Sequence, residues 1–241
     1  MVDYEKYAQE LASGAEVVET PAAVATASIF RRVYGWMALG LAVSGIVAWF
    51  VAASGLWQTV LAGPGWTVCI IAELALVVVL SASLRKLPPA AACAMFLVYS
   101  AVNGLTLSVV LIAFELALVT RVFFITAAMF GALAIWGTRT KDDLSGIGSM
   151  CFMGLVGIIV ASIVNIFMRS TAFDWWLSLA GIVVFCGLTM YDAQKIKRLA
   201  AMEAQLDAPT ANRLAIAGAL ELYLDFVNLF LNLLRIMGRR K

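Results

Sequence analysis

Apolar residues run through this chain in seven blocks of roughly twenty, divided by short polar stretches. They cover residues 29–53, 66–84, 90–114, 118–138, 146–168, 175–192 and 215–237. A run of about 20 apolar residues, wound as a helix, spans the hydrocarbon core of a bilayer. The pattern predicts an all-α membrane protein, a bundle of seven transmembrane helices over residues 29–241. The five prolines, Pro21, Pro64, Pro88, Pro89 and Pro209, all fall between blocks. Proline is best accommodated in turns and at helix starts, so they support these boundaries. The first block is long and is expected to begin with an interfacial turn around Arg31, Arg32 and Trp36.

Polar residues inside the blocks are few and ordered. In the last block Glu221, Asp225, Asn228, Asn232 and Arg235 recur at intervals of three and four, so they share one helical face. A carboxylate in hydrocarbon costs several kcal/mol and normally faces a partner or a water-filled cavity. A second acid, Asp192, ends the sixth block, beside Tyr191 and Gln194. Glu73 and Asn103 lie within the second and third blocks. Two carboxylates about 4 Å apart repel by roughly 4 kcal/mol at an effective dielectric of 20. Such a pair shares a proton and titrates as a unit. Asp192 and Asp225 are therefore the candidate pH-sensing and ion-gating residues. Glu73, Tyr191, Glu221, Asn228 and Asn232 are candidate gate or pore-lining residues. For Glu73, Asn103, Asn228 and Asn232 the competing role is packing, as hydrogen bonds between helices.

Composition narrows the classes. Hydrophobic residues make up 63% of the 241 and charged ones 13%, and the mean hydropathy is +0.95. A soluble domain of this size could not hide so much apolar surface. The net charge of +2 is spread over the loops and argues against a nucleic-acid partner. Histidine is absent, which removes Ser–His and Cys–His catalysis and His-based zinc sites. Cys69, Cys93, Cys151 and Cys186 stand singly, without CxxC spacing, and read as buried small hydrophobes. Residues 1–28 carry five acids and one lysine, the opposite of a secretory signal, and read as an acidic, mobile cytoplasmic tail.

Loop charges alternate. Arg31 and Arg32 stand at the very start of the first block, Arg85 and Lys86 follow the second, Arg139 and Lys141 the fourth, and Lys195, Lys197, Arg198 and Arg213 the sixth. The opposite ends hold only Arg121, near the start of the fourth block, and Arg169. The positive-inside rule puts the N-terminus and the even loops in the cytoplasm. Seven crossings would then leave Arg239, Arg240 and Lys241 outside. Either a short basic tail is tolerated there or the last block does not fully cross, as a buried or re-entrant helix. No strong internal repeat is visible. Gly146, Gly148, Gly154 and Gly157 suggest close helix approach.

These residues also carry a family resemblance. Met190-Tyr191-Asp192-Ala193-Gln194-Lys195-Ile196 resembles the YDxQxI signature of the Bax inhibitor-1 (transmembrane Bax inhibitor motif) family. Leu222-Tyr223-Leu224-Asp225-Phe226-Val227-Asn228-Leu229-Phe230 is similar to that family's last helix. Arg31-Arg32-Val33-Tyr34-Gly35-Trp36-Met37, Tyr99-Ser100-Ala101-Val102-Asn103-Gly104-Leu105-Thr106 and Lys141-Asp142-Asp143-Leu144-Ser145 also resemble members' sequences. The resemblance implies a seven-helix bundle with the last helix central, and a calcium leak gated by an acid pair that maps onto Asp192 and Asp225. It also implies a basic residue from the second helix that holds the closed state, for which Arg85 is the nearest match. The short loops and the lack of histidine point to a bacterial member in the inner membrane.

The expectation is a pH-sensitive calcium or cation leak channel, not an enzyme and without a resident cofactor. Calcium takes six to eight oxygens, so Asp192 and Asp225 with amides and water would make a weak, passing site. The alternative is a non-catalytic partner that regulates membrane proteases or stress responses through membrane-protein contacts. An intramembrane aspartyl protease fits less well, because Asp225 sits in Leu-Tyr-Leu-Asp and not in Gly-x-Gly-Asp. A retinal protein is excluded by the absence of lysine from residues 215–237.

Overall fold

A computed structural model describes residues 21–60, 64–83, 87–201 and 207–238. Among the described residues there is no strand. Seven long helices follow one another: α1 (Pro21–Ser54), α2 (Pro64–Ser83), α3 (Pro89–Ala113), α4 (Leu116–Arg139), α5 (Ser145–Met168), α6 (Thr171–Ala201) and α7 (Ala208–Met237). A single turn, Trp57–Val60, lies between α1 and α2.

Proline punctuates the chain as its chemistry requires. Pro21, Pro64 and Pro89 each open a helix and Pro209 sits in the first turn of α7, where no intrahelical N–H bond is lost. Asp207 caps α7, its carboxylate accepting from the Thr210 amide at 3.2 Å. Left-handed residues make two tight exits: Gly55 (φ 74) after α1 and Arg169 (φ 51) after α5.

Every predicted block is a helix, but three extend well past their expected limits. α1 begins at Pro21, eight residues before the first block and inside the segment read as a mobile tail; residues 1–20 lie outside the described residues. α6 continues nine residues beyond Asp192, and α7 starts seven before Ala215. Hydropathy fades at Lys195, yet the helical period does not: Ala193, Ile196 and Ala200 are buried while Lys195 and Lys197 are exposed. The same alternation carries the start of α7, where Ala211 and Ala215 are buried.

Six of the helices are long and apolar enough to cross a bilayer: α1, α3, α4, α5, α6 and α7. The described apolar part of α2, Val68–Ser83, is shorter. The outer faces suit lipid. On α5 Phe167 is 81% exposed, Ile166 69% and Met153 67%, an apolar surface that water would not tolerate. The chain is an integral membrane protein.

Burial is uneven. Within the apolar stretch of α7, 67% of residues are buried, against at most 33% in any other spanning helix. Its main contacts are with α6, α1, α4 and α3; α2 leans chiefly on α3, and α5 on α6. Tyr223 of α7 is fully buried, edge-on to Phe96 at 5.7 Å and to Tyr99 at 5.9 Å. Close approach is set by glycine at a few points. A Cβ on Gly137 of α4 would stand 2.2 Å from the Met190 carbonyl oxygen, so α4 lies directly on the α6 backbone. Of the four α5 glycines singled out from sequence, Gly148 and Gly154 meet neighbours, while Gly146 and Gly157 have none within 4 Å.

Candidate functional site

α6 and α7 are consecutive and antiparallel, so residues climbing one helix meet residues descending the other. Lys195 Nζ lies 2.5 Å from Glu221 Oε1. One turn further in, Asp192 faces Asp225, the two carboxyl groups lying close enough to interact. Further along still, the Asn232 amide lies over Gly181, where a Cβ would be 2.8 Å from its atoms. Three members of the polar stripe of α7, Glu221, Asp225 and Asn232, are thus turned to α6. The stripe's spacing of three and four is what keeps them on one neighbour.

Asp192 is 9% exposed and Asp225 4%. Asp225 Oδ2 is buried and receives no donor. Two ionised carboxylates cannot hydrogen-bond, because neither carries a donor; the contact closes when one oxygen holds a proton. On loss of that proton the two charges repel, and a cation is the natural replacement. Asp192 does not end its helix as the sequence suggested; it is enclosed, with more than two further turns between it and Ala201.

Two cavities flank the pair along the same stripe. The larger, about 630 Å³, opens at the α6–α7 loop end and is lined there by Lys195, Arg198, Arg213, Glu221 and Ser81. The smaller, about 280 Å³, lies between α5, α6 and α7 and is lined by Asn228, Asn232, Arg235 and Ser162. Asn228 and Asn232 donate back to the carbonyls of Leu224 and Asn228, each at 2.8 Å.

The remaining candidates fall elsewhere. Glu73 of α2 accepts from Asn103 and, at 3.0 Å, from Thr106 Oγ1. Asn103 Oδ1 accepts from the Tyr223 hydroxyl at 2.9 Å, which itself lies 2.6 Å from Ser44 Oγ. This network joins α2, α3, α7 and α1 through Tyr223, two residues from Asp225 and on another face of α7. Tyr191 lays its ring over Gly148 of α5, away from the stripe. Arg85 lies outside the described residues.

Sequence reasoning counted Lys195 and Arg198 only as loop charges, although Lys195 stands three residues after Asp192 and so on its face. It also treated the Lys-Asp-Asp-Leu-Ser stretch as a bare resemblance. The structure explains that stretch. Gln194 donates to the Asp142 carbonyl at 2.8 Å and accepts from the Leu144 amide at 3.0 Å. Arg198 reaches Asp143, Ser145 and Gln194. These bonds clamp the α4–α5 loop to the end of α6 that carries Asp192. Hydrogen bonds from Ser145 and then Arg198 hold the Asp143 carboxyl down to about 2.

Comparison with known proteins agrees with these motifs. Residues 26–241 match the family described as inhibitor of apoptosis-promoting Bax1. The inner membrane protein YbhL of Escherichia coli (strain K12) is 45% identical over 212 residues, 87% of this chain and 91% of its own. A protein of Deinococcus radiodurans is 41% identical over 216 residues, covering 88% and 91%. A membrane protein of Streptococcus pyogenes serotype M1 is 37% identical over 227 residues, covering 92% and 97%. With its seven apolar helices and these matches over most of its length, the chain belongs to the Bax inhibitor-1 family of membrane proteins.

Proposed function

We propose that this protein is a pH-sensitive cation leak, with calcium as its permeant ion and the Asp192–Asp225 pair as its gate. One observation carries the reading: the pair stands between two cavities, and both are lined by the same stripe of α7. Glu221 borders the first and Asn228 the second, seven residues or about 10 Å along the helix, with Asp225 between them. In this reading α7 is the axis of the bundle, a role its high burial supports. With a proton shared, the carboxyls close on each other. When the proton leaves, repulsion parts them, and four carboxylate oxygens with water and amide oxygens make a weak, passing calcium site. The α6–α7 loop end, where the basic residues gather, is the cytoplasmic side.

The experiment is calcium efflux from liposomes containing the purified chain, with pH varied between 5 and 8, about where a coupled carboxyl pair titrates. Wild type leaks more than protein-free liposomes and does so in a pH-dependent way. Asp225→Asn keeps the shape and removes the charge, so its pH dependence flattens. Flux no higher than that of empty liposomes at every pH sinks the channel reading.

A further inference from the structure

We infer that the loop end of α6 and the α4–α5 loop form one mechanical unit, with Gln194 as its positioning residue, and that the gate opens by movement of this unit against α7. The gate part rests on the leak reading; the unit does not. Asp192 is fixed on both sides along its own helix. Two residues before it, the Met190 carbonyl lies against Gly137, where a Cβ would be 2.2 Å away, so the end of α4 is seated on the α6 backbone. Two residues after it, Gln194 is 5% exposed and uses both ends of its amide on the loop backbone. A carboxamide offers the donor and acceptor of a peptide group. Here it donates to the Asp142 carbonyl at 2.8 Å and accepts from the Leu144 amide at 3.0 Å. Arg198, one turn on, reaches Asp143, Ser145 and Gln194 Oε1. The Gln194 bonds are directional and buried, so breaking one leaves a polar group without its partner.

The same stretch of α6 is joined to α7 differently. Ile196 lies on Gly218, where a Cβ would be 3.1 Å from its side chain. Apolar contact has no preferred direction, so packed helices can shift along it. The charged link, Lys195 with Glu221, is partly exposed and weak. α7 is also the better anchored partner, with 67% of its apolar stretch buried against 33% for α6. Motion falls to the less buried element. When the two carboxylates repel, α6 therefore parts from α7 at Ile196 and Gly218 and stays bonded to the loop. The loop follows Asp192, and whatever holds or pulls the loop moves Asp192 with it.

The test is hydrogen exchange read by mass spectrometry on the full chain in detergent, with liposome flux from the same preparations. Gln194→Met keeps the side-chain length and removes both donor and acceptor. It should speed exchange about tenfold in the α4–α5 loop and in α6 beyond Asp192 together, the effect of losing one or two hydrogen bonds, and leave α7 around Asp225 unchanged. The midpoint of the pH response of flux should move by about one pH unit, the same tenfold. Glu221, Lys195 and Cys151, the other titratable groups around the pair, are untouched by this substitution. Asn165→Ala removes a comparable bond, to the Ser170 amide at 3.1 Å, at the opposite end of α5. It should loosen that turn alone and leave the pH response in place. If Gln194→Met does not fold, Arg198→Gln replaces it, with the same pattern and a smaller size. Faster exchange in the loop with α6 unchanged, or equal loosening of α7, overturns the unit. Joint loosening of loop and α6 with an unmoved midpoint overturns the role of Gln194 at the gate. Absence of flux from wild type overturns the leak reading and the gate with it, while exchange still decides the unit.

Discussion

Lys195 of α6 and Glu221 of α7 meet at 2.5 Å, one helical turn outside the contact between Asp192 and Asp225. Their side chains are 50% and 35% exposed, so the ion pair contributes about 0–1 kcal/mol to stability. Its larger effect is electrostatic, because each charge lies close to the acid pair. Lys195→Gln removes a positive charge and Glu221→Gln a negative one from the same place. In the proposed leak, the two variants should shift the midpoint of the pH response in opposite directions, while their melting temperatures stay near wild type. Shifts of the same sign, read from liposome flux, would mean that they act through packing.

Helix approach makes a second, purely structural prediction. Gly137 faces the Met190 carbonyl, and a Cβ there would be only 2.2 Å from backbone oxygen, which cannot rotate away. Gly137→Ala should therefore cost about 1–3 kcal/mol by forcing α4 and α6 apart. Gly131, two turns earlier on α4, has nothing within 4 Å. Gly131→Ala should be neutral or stabilise by up to about 1 kcal/mol, since alanine is the better helix former. Thermal unfolding in detergent compares the two directly. Equal destabilisation would contradict the α4–α6 packing.

Much of this arrangement was legible in the chain. Five polar residues in an apolar block stand out, and three of them, Glu221, Asp225 and Asn232, do face one neighbour, α6. The ends of α6 and α7 were less visible, because the apolar density that marks a bilayer span falls away before the helix does. Ala193, Ile196 and Ala200 carry the helix on by periodicity alone. The Gln194 and Arg198 bonds to the α4–α5 loop join positions about fifty residues apart, which no local pattern encodes. Tyr223 was hidden for a different reason. It counts among the hydrophobic residues in a composition tally, yet its hydroxyl is the centre of the Ser44–Asn103–Glu73 network.

That network separates packing from gating. Tyr223→Phe keeps the ring against Phe96 and Tyr99 and deletes the hydroxyl that donates to Asn103. Hydrogen bonds between helices in a membrane are worth about 0.6 kcal/mol on average and up to about 1.7. Tyr223→Phe should lower stability by about 1 kcal/mol and leave the pH response of flux in place. A lost pH response with unchanged stability would move Glu73 and its partners into the gate.

The sharpest prediction concerns the acid pair as a pair. In the proposed gate Asp192 and Asp225 face each other and share one proton, so neither carboxyl would titrate independently. Asp192→Asn leaves Asp225 facing an amide, which donates to the oxygen that now lacks a donor. Asp225→Asn does the same in reverse. Either change alone abolishes the carboxyl–carboxyl contact, so the second has little left to remove. In a double-mutant cycle the effects on stability should be non-additive by about 1 kcal/mol or more, and each single variant should flatten the pH response nearly as far as the double. Two residues acting separately would instead give additive free energies, and each single variant would keep part of the pH response. Denaturation of the four proteins above and below neutral pH, together with flux from the same preparations, distinguishes one shared proton site from two.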